Sequence, residues 1–281
     1  MRRGLLQCNG RTLDLSRPQV MGILNITPDS FSDGGVFFDA EKALARAREM
    51  VKEGAALIDV GGESTRPGAA PVSIDEELSR VVPVIEALSA EIDVPISVDT
   101  SKPEVMEAAV AAGAGLINDV RALRREGALA MAARLDVPVC LMHMRGEPGT
   151  MQQNAVYDRV VEEILDFLVG RVAACESAGI PRERLLVDPG FGFGKTLAHN
   201  LQILKSLDRF LTLGLPLVVG LSRKSMVGAI LDAPVDGRLH GSVALATLAV
   251  WQGAAIVRAH DVRATVDAMR CCQAVMAAAE H

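Results

Sequence analysis

Side chains able to do chemistry recur in one setting along this 281-residue chain, directly after short apolar runs. Asn25 follows Val20–Leu24, Gly61-Gly62-Glu63 follow Ala56–Val60, and Asp99 follows Pro95–Val98. Asn118-Asp119 follow Gly115–Ile117, His143 follows Pro138–Met142, and Asp188 follows Leu185–Val187. Ser222-Arg223-Lys224 close Leu217–Leu221, and Arg258-Ala259-His260-Asp261 close Ala255–Val257. Asp99, Asn118 and Asp188 offer acceptors and amide donors of fixed geometry, suited to the edge of a flat heterocycle. Arg258 and His260 stand where the last run enters the last helix, a setting that suits an anion, and Lys224 can add charge or donate. Asp119 and Asp261 are expected to do the plainer job of capping the next segment of chain.

Two motifs invite over-reading. Gly190-Phe191-Gly192-Phe193-Gly194-Lys195-Thr196 resembles a phosphate loop, but three residues rather than four separate Gly190 from Gly-Lys, and the required position is Pro189. Its glycines are expected to let backbone and Phe191 approach a small ligand. Five histidines form no His-x-x-x-His pair and no Cys/His cluster, so a structural zinc is not expected. An oxygen donor such as Asn25 fits Mg²⁺ carried on a phosphate instead.

The runs themselves are near-continuously apolar and alternate with amphipathic stretches such as Val161, Ile164, Leu165, Leu168 and Val172. That pattern predicts a parallel sheet covered on both faces. Leu6 to Leu13, turning at Asn9-Gly10, reads as a hairpin. Ser73-Ile74-Asp75-Glu76 and Ser101-Lys102-Pro103-Glu104 read as capping boxes. A hairpin followed by eight strand–helix units predicts a (β/α)8 TIM barrel, residues 1–281 as one domain, with the hairpin closing the bottom. Catalytic groups then share the C-terminal rim. The competing architecture is a doubly wound open sheet.

Composition narrows the function. Net charge is −6 and only nine residues are aromatic, so a nucleic-acid partner is not expected. The longest apolar stretch, Val243 to Val257, is broken by Gln252 and Gly253 and is too short to span a bilayer. Five cysteines without a Cys-x-x-Cys point to free thiols and a cytoplasmic protein. The glycine-flanked segments 27–35 and 61–68 look like loops that close over a reactive site.

At these same residues the chain resembles the bacterial dihydropteroate synthases. Matching blocks include Gly22-Ile23-Leu24-Asn25-Ile26-Thr27-Pro28-Asp29-Ser30-Phe31-Ser32-Asp33-Gly34-Gly35, the Gly61–Gly68 segment, Ser97-Val98-Asp99-Thr100 and Ile117-Asn118-Asp119-Val120. Leu141-Met142-His143-Met144, the Asp188–Lys195 segment, Ser222-Arg223-Lys224-Ser225 and Arg258-Ala259-His260-Asp261-Val262 complete them. Ala155 and Ala259 depart from the family pattern at positions without chemistry.

The resemblance implies condensation of 6-hydroxymethyl-7,8-dihydropterin diphosphate with p-aminobenzoate, with loss of diphosphate and no protein nucleophile. It implies Asp99, Asn118, Asp188 and Lys224 at the pterin, with Arg66, Arg258 and His260 at the diphosphate. Asn25 would ligate Mg²⁺, and Thr65, Pro67, Phe191 and Ser225 would surround p-aminobenzoate. Asp33, Arg66, Asp99 and Lys224 would serve catalysis, and the family implies a homodimer. Alternatives are a corrinoid methyltransferase using methyltetrahydrofolate, which has no use for the strand-8 anion clamp, and a non-catalytic pterin carrier.

Overall fold

The computed structural model describes residues 4–26, 36–64 (backbone alone at 36–40), 71–146, 151 and 155–278. The chain opens with a hairpin of β1 (Leu5–Cys8) and β2 (Arg11–Asp14). Asn9 and Gly10 at its tip have φ of 48° and 79°, the two left-handed positions of a tight hairpin turn. Eight parallel strands follow: β3 (Gln19–Asn25), β4 (Leu57–Gly61), β5 (Ile96–Asp99), β6 (Leu116–Asp119), β7 (Val139–Met142), β8 (Leu185–Asp188), β9 (Val218–Gly220) and β10 (Ile256–Ala259).

Their hydrogen-bonded order is β8-β7-β6-β5-β4-β3-β10-β9. A parallel bridge between Val187 and Leu217 brings the two ends together, where the Val187 N–H donates to the Pro216 carbonyl at 3.1 Å. An open doubly wound sheet would leave both edge strands unpaired, so this closure decides for the barrel. Every residue of β4 to β9 is buried, which is why these strands read as continuous apolar runs.

Helices α1 (Val36–Glu53), α2 (Ile74–Glu91), α3 (Pro103–Ala111), α4 (Ala128–Leu135), α5 (Val160–Ser177) and α6 (Leu197–Lys205) cover the barrel. Both α7 (Ser225–Leu231) and α8 (Leu239–Trp251) lie between β9 and β10, and α9 (Val262–Met276) ends the fold. Ser73 caps α2 by accepting from the Glu76 N–H, as expected. The box expected at Ser101 does not form. Helix α3 starts one residue later, with Lys102 as its cap and Pro103 first in the helix, and the Ser101 hydroxyl donates instead to the Asp119 carboxylate. A capping box that sequence reading missed, Thr196 with His199, opens α6.

The hairpin plugs the barrel bottom. Leu6, Cys8, Leu13 and Leu15 form one buried cluster with strand-start residues including Leu57, Leu116, Val218 and Ile256. Gly115 is where the two parts touch, since a Cβ there would lie 2.4 Å from the Cys8 carbonyl oxygen. Gly115→Ala is therefore expected to lower stability by about 1–3 kcal/mol, read as a fall in melting temperature. An unchanged melting temperature would mean that the hairpin yields without cost.

Candidate active site

Strand register builds the site. Asn25 pairs with Gly61, Gly61 with Asp99, and Asp99 with Asn118, so four strand ends reach one level on the C-terminal rim. Gly61 has no side chain to fill the space there, and a Cβ would sit 3.4 Å from the Asp99 Cβ and 3.8 Å from Asn25 Oδ1. Beneath this level lies Asp59, fully buried in the middle of β4. Its Oδ2 accepts from Asn118 Nδ2 at 3.2 Å and from Arg258 Nε at 2.5 Å, and Arg258 Nη2 reaches Asp99 Oδ2 at 2.8 Å. Asn118, Asp59, Arg258 and Asp99 thus form one chain across the floor of the site.

Electrostatics follow from that chain. Burial raises the Asp99 pKa to about 7; Arg258 opposes the rise, and the Asp59, Glu77 and Asp119 carboxylates reinforce it. Burial works against the Arg258 charge, but Asp59 and Asp99 outweigh it and hold the guanidinium ionised. Arg258 was expected to serve an anion alone. It is first the counter-ion of two buried carboxylates.

Opposite stands the pair from β8 and the loop after β9. Asp188 is buried and its Oδ1 accepts from the Gly190 N–H at 2.6 Å. Burial raises the Asp188 pKa, offset first by the charge of Lys224. Lys224 Nζ donates to the Phe191 carbonyl and lies 4.7 Å from the centre of the Phe193 ring. Desolvation lowers its pKa to about 8, against the pull of Asp188. Below it, Gly220 leaves room, since a Cβ there would stand 3.7 Å from Lys224 Nζ and 3.9 Å from Arg258 Cβ.

His260 is oriented by Ser222. The Ser222 Oγ accepts from the His260 backbone N–H at 3.1 Å and lies 3.0 Å from Nδ1. The same hydroxyl thus fixes both the backbone and the ring of His260. Sequence reading gave Ser222 no positioning role. Asp261, expected as a cap, makes no side-chain cap bond; Arg223 holds its carboxylate through Nε at 2.9 Å and Nη2 at 2.5 Å. Asp119 keeps a local role, accepting from the Arg121 and Leu123 N–H groups at 2.8 and 2.7 Å.

One expected contact is displaced. Phe191 is 0% exposed and packs in the main core. The alternating left-handed glycines around it turn Phe193, two residues on, to the half-buried position under Lys224. Ser225 is exposed at the start of α7. Asp33, Thr65, Arg66 and Pro67 lie outside the described residues.

Two further features were not foreseen. Asp59 was legible as a carboxylate inside an apolar run, but the run was read as strand only. Lys102, read as part of a capping box, is buried and joins Glu63 Oε2 at 2.5 Å to the Glu77 carboxylate. These three line a cavity of about 360 Å³ above β4 to β6, with Asp99 and Arg121. Nothing in the spacing of Glu63, Glu77 and Lys102 signals that they meet.

The site therefore presents buried carboxylates and an amide, a lysine across from them, and an imidazole beside the last helix. The model of the family described as pterin binding enzyme matches residues 21–260. A dihydropteroate synthase of Escherichia coli strain K12 is 54% identical over 276 residues, covering 98% of both chains. The Xanthomonas albilineans dihydropteroate synthase solved with 4-aminobenzoic acid superposes with a TM-score of 0.94 at 54% identity, over 99% of this chain and all of that one. The structure of that synthase with 7,8-dihydropteroate superposes at 0.90 with 52% identity, over 98% and 100% of the two chains. By sequence, fold and the groups gathered on its rim, the chain belongs to the dihydropteroate synthase family of pterin-binding enzymes.

Proposed function

We propose that this chain joins p-aminobenzoate to 6-hydroxymethyl-7,8-dihydropterin diphosphate, forming 7,8-dihydropteroate and diphosphate. The observation that carries this reading is the convergence of Asp99, Asn118 and Asp188 with Lys224 on one rim, where a guanidine-like ring edge finds acceptors for each donor. Arg258 and His260, with Arg66, would hold the diphosphate. Phe193 takes the place first assigned to Phe191 beside p-aminobenzoate, with Thr65, Pro67 and Ser225.

A magnesium ion fits the donors present. Among the described residues no group of three or more His, Cys, Asp or Glu could form a cage. Asn25 offers one amide oxygen, and Mg²⁺ bound through substrate phosphates needs little more from the protein. When bound, Mg²⁺ would neutralise charge on the leaving diphosphate. The rest falls to the protein. The carbon–oxygen bond breaks with its electrons going to diphosphate, and the methylene cation is shared with the dihydropterin ring. Asp99 and Asp188 favour that charge, Asp33 would assist, and water must be kept away until the amine forms the carbon–nitrogen bond and loses a proton.

Residues 1–281 act as a single domain on this reading, in the cytoplasm, as a homodimer. No helix among the described residues is long and apolar enough to cross a membrane, and all five cysteines are free. The dimer is supported by exposed Ile230 and Leu231 on α7, Leu248 and Trp251 on α8, and Val275 and Met276 on α9.

Supplied with both substrates and magnesium, the protein is expected to form dihydropteroate in equal amount to the diphosphate released. Diphosphate release without dihydropteroate, or neither, would overturn the reading. The pH profile carries a second expectation. Asp99 carries its charge and accepts through both oxygens only when ionised, so kcat/KM should fall as pH drops below about 7. Lys224 loses its charge as pH rises through about 8, so the rate should fall again there. Asp99→Asn should abolish the acidic limb; a limb that survives it belongs to another group.

A further inference from the structure

The Gly190–Lys195 loop carries the sequence that falls short of a phosphate loop, and its lysine is unused in the chemistry above. Lys195 is 3% exposed. Its Nζ lies 2.8 Å from the Gly190 carbonyl, 3.0 Å from the Phe193 carbonyl and 3.0 Å from His143 Nδ1, with the His143 carbonyl at 3.4 Å. Burial pushes the Lys195 pKa well below the ordinary lysine range, with Asp188 opposing, so the group serves as a hydrogen-bond donor, and three polar partners stand within 3.0 Å. His143 can accept because burial, and then the Lys195 charge, lower its pKa to about 2 and keep the ring neutral.

The backbone around Lys195 is bent to meet it. Gly190, Gly192 and Gly194 have φ of 71°, 81° and 66°. A Cβ at Gly190 would lie 1.9 Å from the His143 carbonyl oxygen, and one at Gly194 would lie 2.3 Å from that of Arg145. Asn200 ties the outer side, accepting from the Gly192 N–H at 2.8 Å. The opposite face of the same loop meets the pterin groups, through the Gly190 N–H on Asp188, the Phe191 carbonyl on Lys224 and the Phe193 ring beneath Lys224.

We infer that Lys195 is a positioning residue for the reaction, an internal donor that draws the Gly190 and Phe193 carbonyls inward and thereby sets Asp188 and Lys224 for the pterin. The inference rests on the proposed pterin site. A lysine that served phosphate would point its ammonium outward; here the loop closes on its own lysine. Removing the amine while keeping the chain length takes the Lys195 bond from the Phe193 carbonyl, leaves the Gly190 carbonyl only the Phe193 N–H at 3.2 Å, and loosens the loop.

The test uses the full chain and Lys195→Met. In the free enzyme, hydrogen exchange across residues 190–195 is expected to quicken at least about tenfold, while the peptides of β3 to β6 keep their protection. Calorimetric titration with 6-hydroxymethylpterin should show about a tenfold or greater loss of affinity. The same substitution added to Lys224→Met should cost clearly less than it does in the wild type, because part of its effect runs through Lys224. A purely destabilising change would multiply with Lys224→Met instead, and that result overturns the inference. So does unchanged pterin affinity in Lys195→Met. If Lys195→Met does not fold, Asn200→Ala, which frees the Gly192 N–H from the other side, should give the same non-additive loss, and wild-type affinity there overturns the inference. If the wild-type protein itself does not bind the pterin, the proposed site fails while the exchange measurement still decides whether Lys195 orders the loop.

Discussion

In Asp188→Ala, pterin titration is expected to give no measurable heat at concentrations that saturate the wild type, a loss of about a hundredfold or more. The carboxylate is buried, and removing it leaves the donors of a ring edge without partners. The bond it accepts from the Gly190 N–H at 2.6 Å is local, so the barrel should survive. Circular dichroism and the melting transition check that survival. Asp188→Asn retains one acceptor and should fall between the two. Pterin affinity near the wild-type value in folded Asp188→Ala would remove Asp188 from the site.

Arg258→Ala is expected to have the second large effect, and on two ligands at once. The side chain links Asp59 and Asp99 through separate nitrogens. Deleting it leaves two buried carboxylates without a counter-ion, a loss of about 3–5 kcal/mol by analogy with other broken buried pairs. Binding of the bare pterin should therefore weaken substantially. Binding of the pterin diphosphate should weaken further, and the excess measures any direct hold on the anion. Arg258→Lys should rescue little, because an ammonium cannot present two nitrogens in one plane to two carboxylates. Bare-pterin affinity unchanged in Arg258→Ala would mean that the floor network does not shape the ring site. Equal losses for both ligands would leave Arg258 no part in holding the diphosphate.

Much of this was legible in sequence because parallel barrels write themselves plainly. A strand buried on both faces is a short apolar run, and the rim lies where the run stops. Asn25, Asp99 and Asp188 are the last residues of their strands and Asn118 the last but one, so reading the residues that close each run found them. The barrel bottom was equally open to reading through Asn9-Gly10. What escaped were contacts between distant parts of the chain. Asp59 meets Arg258 across 199 residues, and Lys102 meets Glu63 across 39. The Phe191 and Phe193 positions could not be separated by type, since both are phenylalanines in the same glycine alternation. The backbone of three left-handed glycines decides which ring turns inward. Ser101 failed as a cap because Asp119, placed by a neighbouring strand, takes its proton.

Phe193 and the exposed Ser225 are described groups that the proposed function sets beside p-aminobenzoate, with Lys224 over the Phe193 ring. A bound pterin would add a wall beside these groups, and diphosphate with magnesium would add charge. Whether the pterin site must fill before the aryl amine can bind is read most directly by titrating p-aminobenzoate calorimetrically. One titration uses free enzyme, the other enzyme saturated with pterin, magnesium and diphosphate. The second is expected to show affinity higher by about tenfold or more, with diphosphate retention tightened by the same factor, as reciprocity requires. Equal affinity in both titrations would show a p-aminobenzoate pocket complete without the pterin, contradicting the order of binding drawn from this site.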